Sequence, residues 1–406
     1  MTLEPLSVSP DIRLLFAARV VRLFAYGFVS VVLALYLAAR GLSEFGIGLL
    51  LSATLLGDAV ITLWLTTVAD RFGRRRTLLV GAVLMVLAGT AFVLTDQPLL
   101  LGLAAIIGVI SPSGYEIGPF LSIEQAALSG LVPGQNRTRL FAWYHLAGSL
   151  ATATGSLAGG WLAYGLQETG LTPLAAYQGV LATYALLGGV LVLLFLRLSV
   201  QVEVKLVPDT LQRRFGLHRS RGVVARLSAL FAIDAFAGGF VIQSLLAYWF
   251  YLRFGTSEAM LGTVFFFANL LAGMSALLAT RLAARFGLIN TMVFTHLPSN
   301  VLLCLVPFMP TLPWALAVLL VRFTISQMDV PTRQSYTMAV VDPDERSAAS
   351  GITTIARSLG AALSPALSGA LLGLSLQAPF LLAGGLKIIY DLALYRSFKA
   401  LKPEEE

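Results

Sequence analysis

Charge is what this sequence has least of. Lys, Arg, Asp and Glu make up 12% of its 406 residues, where a soluble domain carries roughly 25%. So few ionisable side chains cannot cover the water-facing surface of a chain this long, which excludes an ordinary soluble enzyme. Disorder is excluded as well, because it needs low hydrophobicity, and here 57% of side chains are apolar and the mean hydropathy is +0.82. One cysteine, Cys304, permits neither an internal disulfide framework nor a cysteine-based zinc site. His145, His218 and His296 are scattered without ligand spacing, so neither a metal nor a cofactor is expected. A nucleotide loop of the form G-x-x-x-x-G-K-[ST] is missing too. An ion gradient, protons first, is left as the drive for any work done.

Long apolar runs take the place of charge. Residues 77–95, 98–115, 175–196 and 358–386 contain no charged side chain, and a membrane-spanning helix needs about 20 mostly apolar residues. Read in order, the runs give about twelve spans: 14–39, 44–68, 77–95, 99–128, 139–165, 175–197, 226–252, 259–281, 289–308, 314–338, 348–373 and 376–396. They do not alternate in character, which excludes a membrane β-barrel. Residues 1–11 read as a short retained tail rather than a cleavable leader.

The net charge of +7 is explained by topology, without nucleic acid. Arg71, Arg74, Arg75, Arg76, Arg137, Arg139, Lys205, Arg213, Arg214, Arg219, Arg221, Arg285, Arg346, Arg396, Lys399 and Lys402 fall in one set of loops and the tail, against Arg40 and Arg253 in the other set. Such an excess marks the cytoplasmic side. Both termini and the central loop 198–225 are therefore expected there, with the chain in the cell's inner (plasma) membrane.

That loop divides the chain into a first six-span bundle, 1–197, and a second, 226–406, and the two match internally. GFVSVVLALYL from Gly27 sets against GFVIQSLLAYW from Gly239. Ser43, Glu44 and Gly48 set against Ser257, Glu258 and Gly262, and ADRFGRRR from Ala69 against AARFGLIN from Ala283. Glu124-Gln125 sets against Arg333-Gln334, with Arg137 opposite Arg346 at the same offset. Four matches in register and in order indicate a duplicated six-helix unit, its copies parallel about an axis along the membrane normal.

Asp70-Arg71-Phe72-Gly73-Arg74-Arg75, between the second and third spans, is a tight turn at Gly73 set in a basic cluster. Here the chain resembles the major facilitator superfamily, whose signature in this loop is G-x-x-x-D-R-x-G-R-R; Thr66 stands where the first glycine would be. The resemblance implies an all-α fold of two pseudo-symmetric bundles, transport by alternating access, and a cytoplasmic gate at Asp70, Arg71, Gly73, Arg74 and Arg75. Gly155-Ser156-Leu157-Ala158-Gly159-Gly160 in the fifth span resembles that family's antiporter motif, with Ser156 in place of proline; Gly155, Gly159 and Gly160 would allow close helix packing. The fourth span lacks the arginine common in exporters of the family, and Arg322 lies at a comparable place in the tenth. DAFAGGF from Asp234 and DVPTRQSY from Asp329 resemble a bacterial subgroup that includes arsenite and antimonite exporters.

Ionisable residues inside spans are costly and mark function. Arg19 and Arg22 share a face of the first span, and Glu116 and Glu124 lie in the fourth, with Pro112, Gly114, Gly118 and Pro119 loosening the helix between them. Asp234 sits opposite Arg22 in the repeat, and Arg322, Asp329 and Arg333 form one polar stripe on the tenth span. Spans one, four, seven and ten, which line the cavity in the family, thus hold most of the buried charge. Asp58 and Glu116, without partners on their own helices, lead the candidates for carrying a proton, followed by Asp234 and Glu124; Glu124 is also close enough to the loop to pair with Arg71 or Arg74. Arg19, Arg22, Tyr26, Tyr36, Gln243, Arg322, Asp329 and Arg333 are candidates for lining the path. The expectation is a monomeric transporter exporting a small organic or metalloid compound. Proton-coupled uptake of a small metabolite and a non-transporting sensor remain open, whereas no clustered nucleophile and base suggests an enzyme.

Overall fold

The computed structural model describes residues 9–116, 118–132, 134–203, 217–342 and 345–399. Lys205, Arg213 and Arg214 lie outside the described residues, as do the side chains of Asp70 and Arg71. In the first half the helices are α1 (Pro10–Ser30), α2 (Leu33–Ala39), α3 (Glu44–Phe72), α4 (Arg74–Leu94), α5 (Pro98–Ile107), α6 (Phe120–Leu131), α7 (Gly134–Glu168) and α8 (Pro173–Leu196). In the second they are α9 (Arg221–Gly239), α10 (Gln243–Phe254), α11 (Glu258–Phe286), α12 (Leu288–Leu305), α13 (Leu312–Phe323), α14 (Asp329–Ala339), α15 (Arg346–Leu372) and α16 (Ala378–Phe398). Among the described residues there is no strand.

Eight runs, one of them α9 with α10, are long and apolar enough to cross a bilayer, and α1 with α2, bent by 43°, make a ninth. The long, less apolar α7 and the composites α5 with α6 and α13 with α14 complete the twelve spans. The sequence reading loosened the fourth span and treated the others as continuous. Four spans are interrupted, and they are the first, fourth, seventh and tenth.

In the fourth span the interruption has a local cause. Pro112 and Pro119 lack the N–H that a helix needs, and Gly114 and Gly118 take φ of +74° and +80°, so residues 108–116, 118 and 119 leave the helix. The seventh span opens after Gly238-Gly239. The tenth opens over residues 324–328, with Pro331 tolerated in the first turn of α14. Irregular backbone at membrane depth is stable only where protein or a water-filled cavity covers it, so the four breaks mark the centre of the molecule. The break in the tenth span also corrects its expected polar stripe: Arg322 lies on α13, whereas Asp329 and Arg333 lie on α14.

Packing repeats with the sequence. Within the halves α1 packs on α7 and α9 on α15, while α4 packs on α8 and α12 on α16; across them α7 meets α11 and α15 meets α3. Advancing six spans exchanges each pair for its counterpart. The crossings depend on glycine: a Cβ on Gly160 would overlap the carbonyl oxygen of Glu258, and one on Gly369 that of Glu44. Gly160 faces Gly262 and Gly369 faces Gly48, so the interface is repeated too. All four contacts lie at the end of the bundle remote from the basic loops, where the halves press together backbone to backbone.

Candidate functional site

The first half builds its buried cluster on α1. Arg22, fully buried, donates from its two terminal nitrogens to the two oxygens of Glu124 on α6 at 2.6 and 2.7 Å, the bidentate geometry that makes guanidinium–carboxylate pairs strong. Its Nε donates to Glu116 at 2.8 Å, and Arg19, one turn away, donates to the other oxygen of Glu116 at 2.7 Å. Tyr144 on α7 donates to Glu124, and its ring lies under Arg19. Glu124 is therefore a fully buried member of this cluster, and the side chain of Arg71, one of its expected loop partners, lies outside the described residues. Glu116 sits in the unwound segment of the fourth span with 15% of its side chain accessible, against 0% for Glu124. Tyr26 is fully buried one turn along α1 from Arg22.

Asp58 on α3 reaches the same segment. It accepts from the backbone N–H of Gly118 at 2.6 Å and from Thr62 Oγ1 at 3.3 Å. It thus has a partner on its own helix, contrary to the sequence reading, and it stabilises the broken backbone beside Glu116.

In the second half Asp234 on α9 receives Lys387 of α16 at 2.5 Å, Arg357 of α15 at 3.0 Å and Arg333 of α14 at 3.3 Å. Arg333 also donates to Asp329 at 2.7 Å. Beside them Asp391 pairs with His296 at 2.8 Å and accepts from Asn300 at 2.9 Å. Lys387, Asp391, His296, Asn300, Arg357 and, in the first half, Tyr144 escaped the sequence reading. Lys387 and Asp391, four apart in the apolar twelfth span, were the available signal.

Between the clusters, at the breaks of the first and seventh spans, a polar knot joins the halves. Gln243 donates to Ser30 at 2.8 Å and Ser156 at 3.0 Å and accepts from Asn269 at 3.1 Å. Ser244 donates its hydroxyl to the carbonyls of Ser30 and Pro112 at 2.7 and 2.8 Å. Ser156, the departure from the antiporter motif, is thus an acceptor in a cross-half contact. Gly155 and Gly159 bring α7 against the backbone of Phe24 and Phe28.

Arg322 stands apart. It is 9% exposed, its Nε has no partner, and no ion pair involves it among the described residues. A charge at mid-span costs about 2.5–3.5 kcal/mol on insertion scales, whereas the C-terminal dipole of α13 returns about 0.3–1 kcal/mol.

Other candidates are structural in this geometry. Tyr36 donates to the carbonyl of Phe92 and accepts from Arg40 at 3.0 Å, which anchors a helix end remote from the basic loops. At the basic face Gly73 turns with φ of +102° between α3 and α4. The N–H groups of Arg74 and Arg75 donate to Glu203 at 2.7 and 3.2 Å, and Arg75 reaches the carbonyl of Leu196 at 2.5 Å. These contacts tie the loop to the end of the sixth span in the same half. In the second half Glu345 plays a like part, accepting from the backbone N–H groups of His218, Arg219 and Ser220. Burial pushes its carboxyl up, but these donors outweigh that and hold it down at about 2. Among the described residues no cluster of His, Cys, Asp and Glu could hold a metal ion.

An uncharacterized membrane protein of Saccharomyces cerevisiae is 30% identical, over 95% of this chain and 93% of its own length. Among solved structures, the nucleoside transporter NupG superposes with a TM-score of 0.76 at 15% identity, covering 96% of this chain and all of that one. A D-xylose-proton symporter superposes with a TM-score of 0.72 at 18% identity, over 95% and 97% of the two chains. At such identities these structures speak for the fold alone. The family model of the Major Facilitator Superfamily matches residues 15–365 and 254–406. With twelve spans, a repeated interface and broken helices around a charged centre, the chain belongs to the major facilitator superfamily.

Proposed function

We propose that this chain is a proton-coupled secondary transporter that exports a small organic or metalloid compound by rocking its two bundles, 1–197 and 226–406, about the four broken spans. The observation that carries the reading is Glu116. It is the accessible acid of the first-half cluster, it lies in unwound backbone, and it is shared between Arg19 and Arg22. A proton arriving on Glu116 removes its charge and frees Arg19, while Arg22 keeps Glu124. Asp58, two residues from Glu116 through Gly118, couples that event to the shape of the fourth span. Deprotonation restores the pairs, so the proton and the conformation of the break are linked.

Export is supported by the small-residue hub Gly155, Gly159 and Gly160, which lets α7 slide against α1 and α11. Protons supply the drive without a bound cofactor, and a single copy suffices, because both halves of the path come from one chain. Placement in the cell's inner membrane, with the basic loops and both termini in the cytoplasm, follows from the charge asymmetry. The gate role of Asp70 and Arg71 rests on the family signature.

Proteoliposomes with an imposed pH gradient test the reading. Wild type should drive flux of a compound from a broad library, and Glu116→Gln should abolish gradient-driven flux while sparing substrate exchange. Undiminished driven flux in Glu116→Gln would overturn the coupling, and no gradient-dependent flux in wild type would favour a sensor.

A further inference from the structure

Five arginine and lysine residues are buried among the described residues, and four have carboxylate partners. Arg19 and Arg22 are held by Glu116 and Glu124, and Arg333 and Lys387 by Asp329 and Asp234. The fifth, Arg322, makes no hydrogen bond and no ion pair among the described residues; its guanidinium lies 5.1 Å from the ring centre of its own neighbour Phe323. We propose that Arg322 is the recognition point for an oxyanion carried by the transported compound. This rests on the transporter reading and adds the substrate class to it.

The position supports such a role. Arg322 occupies the last turn of α13, where the tenth span unwinds, and in that unwound stretch Ser326, 4% exposed, leaves its hydroxyl unpartnered as well. The ionisable groups that act on Arg322 are Tyr115, in the unwound part of the fourth span of the opposite half, and Asp329. Asp329 is already engaged by Arg333. The guanidinium therefore lies between the two broken spans that face each other across the halves, with donor capacity unspent. A planar fork of N–H donors matches two oxygens of one carboxylate or of one tetrahedral oxyanion. An unpaired charge inside a membrane protein faces a cavity or awaits a partner, and an anion arriving with the substrate supplies that partner. In this arrangement one binding event neutralises Arg322 and spans both halves.

The test is binding without a gradient. Purified full-length protein in nanodiscs is titrated with benzoate, inorganic phosphate and arsenate at constant ionic strength, with the unfolding midpoint as readout. Wild type should be stabilised saturably by at least one of them, a response to benzoate naming a carboxylate and a response to phosphate or arsenate a tetrahedral oxyanion. Arg322→Gln should lose at least tenfold in apparent affinity, with Arg322→Lys between. Without ligand, Arg322→Gln should unfold no lower than wild type, because it removes an unpaired charge. Absence of any shift in wild type, equal affinity in Arg322→Gln, or failure of that variant to fold would each overturn the assignment; the last would mean that the guanidinium has a structural partner. Oxyanion binding without pH-driven flux would leave this assignment standing and sink proton coupling. Flux without oxyanion binding would do the reverse.

Discussion

The two halves share one repeated plan and yet hold their buried charge in different ways. In the first half Arg22 on the first span donates to Glu124 on the fourth. At the repeat-related places of the second half the signs are exchanged, and Asp234 on the seventh span accepts from Arg333 on the tenth. What the repeat keeps is an ion pair between those spans, whichever helix carries the cation. The wiring differs as well. The first half distributes its load over two acids and two arginines, whereas the second draws three cations onto one carboxylate. A distributed network tolerates the loss of one member, and a hub does not.

Asp234→Asn should accordingly be the most damaging neutralisation. It leaves the buried Lys387 and the partly exposed Arg357 without a carboxylate, at a cost of about 3–5 kcal/mol for the buried charge, read as a fall in the thermal midpoint in detergent. Glu124→Gln, which leaves Arg22 with Glu116, should cost less, roughly 1–3 kcal/mol. The reverse order would break the contrast between hub and network. A double-mutant cycle sharpens it further. The bidentate Arg22–Glu124 pair should show a coupling near the upper end of about 0.5–3 kcal/mol. Asp234–Arg333, single and 3.3 Å long, should fall near the lower end; equal couplings would show that geometry does not set the strength here.

Where the halves match, their responses should match. Gly160→Ala and Gly369→Ala each set a methyl group against a carbonyl oxygen of the opposite half and should each cost about 1–3 kcal/mol. A marked disparity would show that the interface is not equivalent on its two sides. The smallest effect belongs to Glu345, whose carboxyl is held at about 2, below an ordinary 4.5. A lowered folded value gives stability that is present above the unfolded value and lost as pH falls through the folded one. The midpoint difference between wild type and Glu345→Gln should therefore be constant from pH 7 to 5 and shrink towards pH 2. A difference that grows on acidification would contradict the backbone clamp.

Much of the fold was legible in the residues, and less of the site. The span count, the asymmetry of basic loops and the internal repeat could be read because each depends on composition along a short stretch or on self-similarity at a fixed offset. Arg19, Arg22, Glu116 and Glu124 were legible as charges in apolar runs, but not as one cluster. That Glu124 is fully buried against Arg22 and Tyr144 could not be read from its depth along the chain alone. That Tyr36 donates to the carbonyl of Phe92 was not legible, because aromatic character does not reveal which way a helix faces. Lys387 and Asp391 were passed over because the uncharged stretch before them dominated the twelfth span.

The sequence by itself determined that lipid is the solvent of this chain, how many times it crosses, and that it does so twice over in one pattern. Transfer free energy adds residue by residue along a window of about 20, so no knowledge of neighbours is needed. Tertiary structure alone decided that Asp234 gathers three cations from three other helices and that Arg322, among the described residues, pairs with no carboxylate. Those outcomes depend on atoms brought within about 3 Å from positions roughly a hundred residues apart. Pairing at that range is set by which helices pack together, and the local sequence does not carry it.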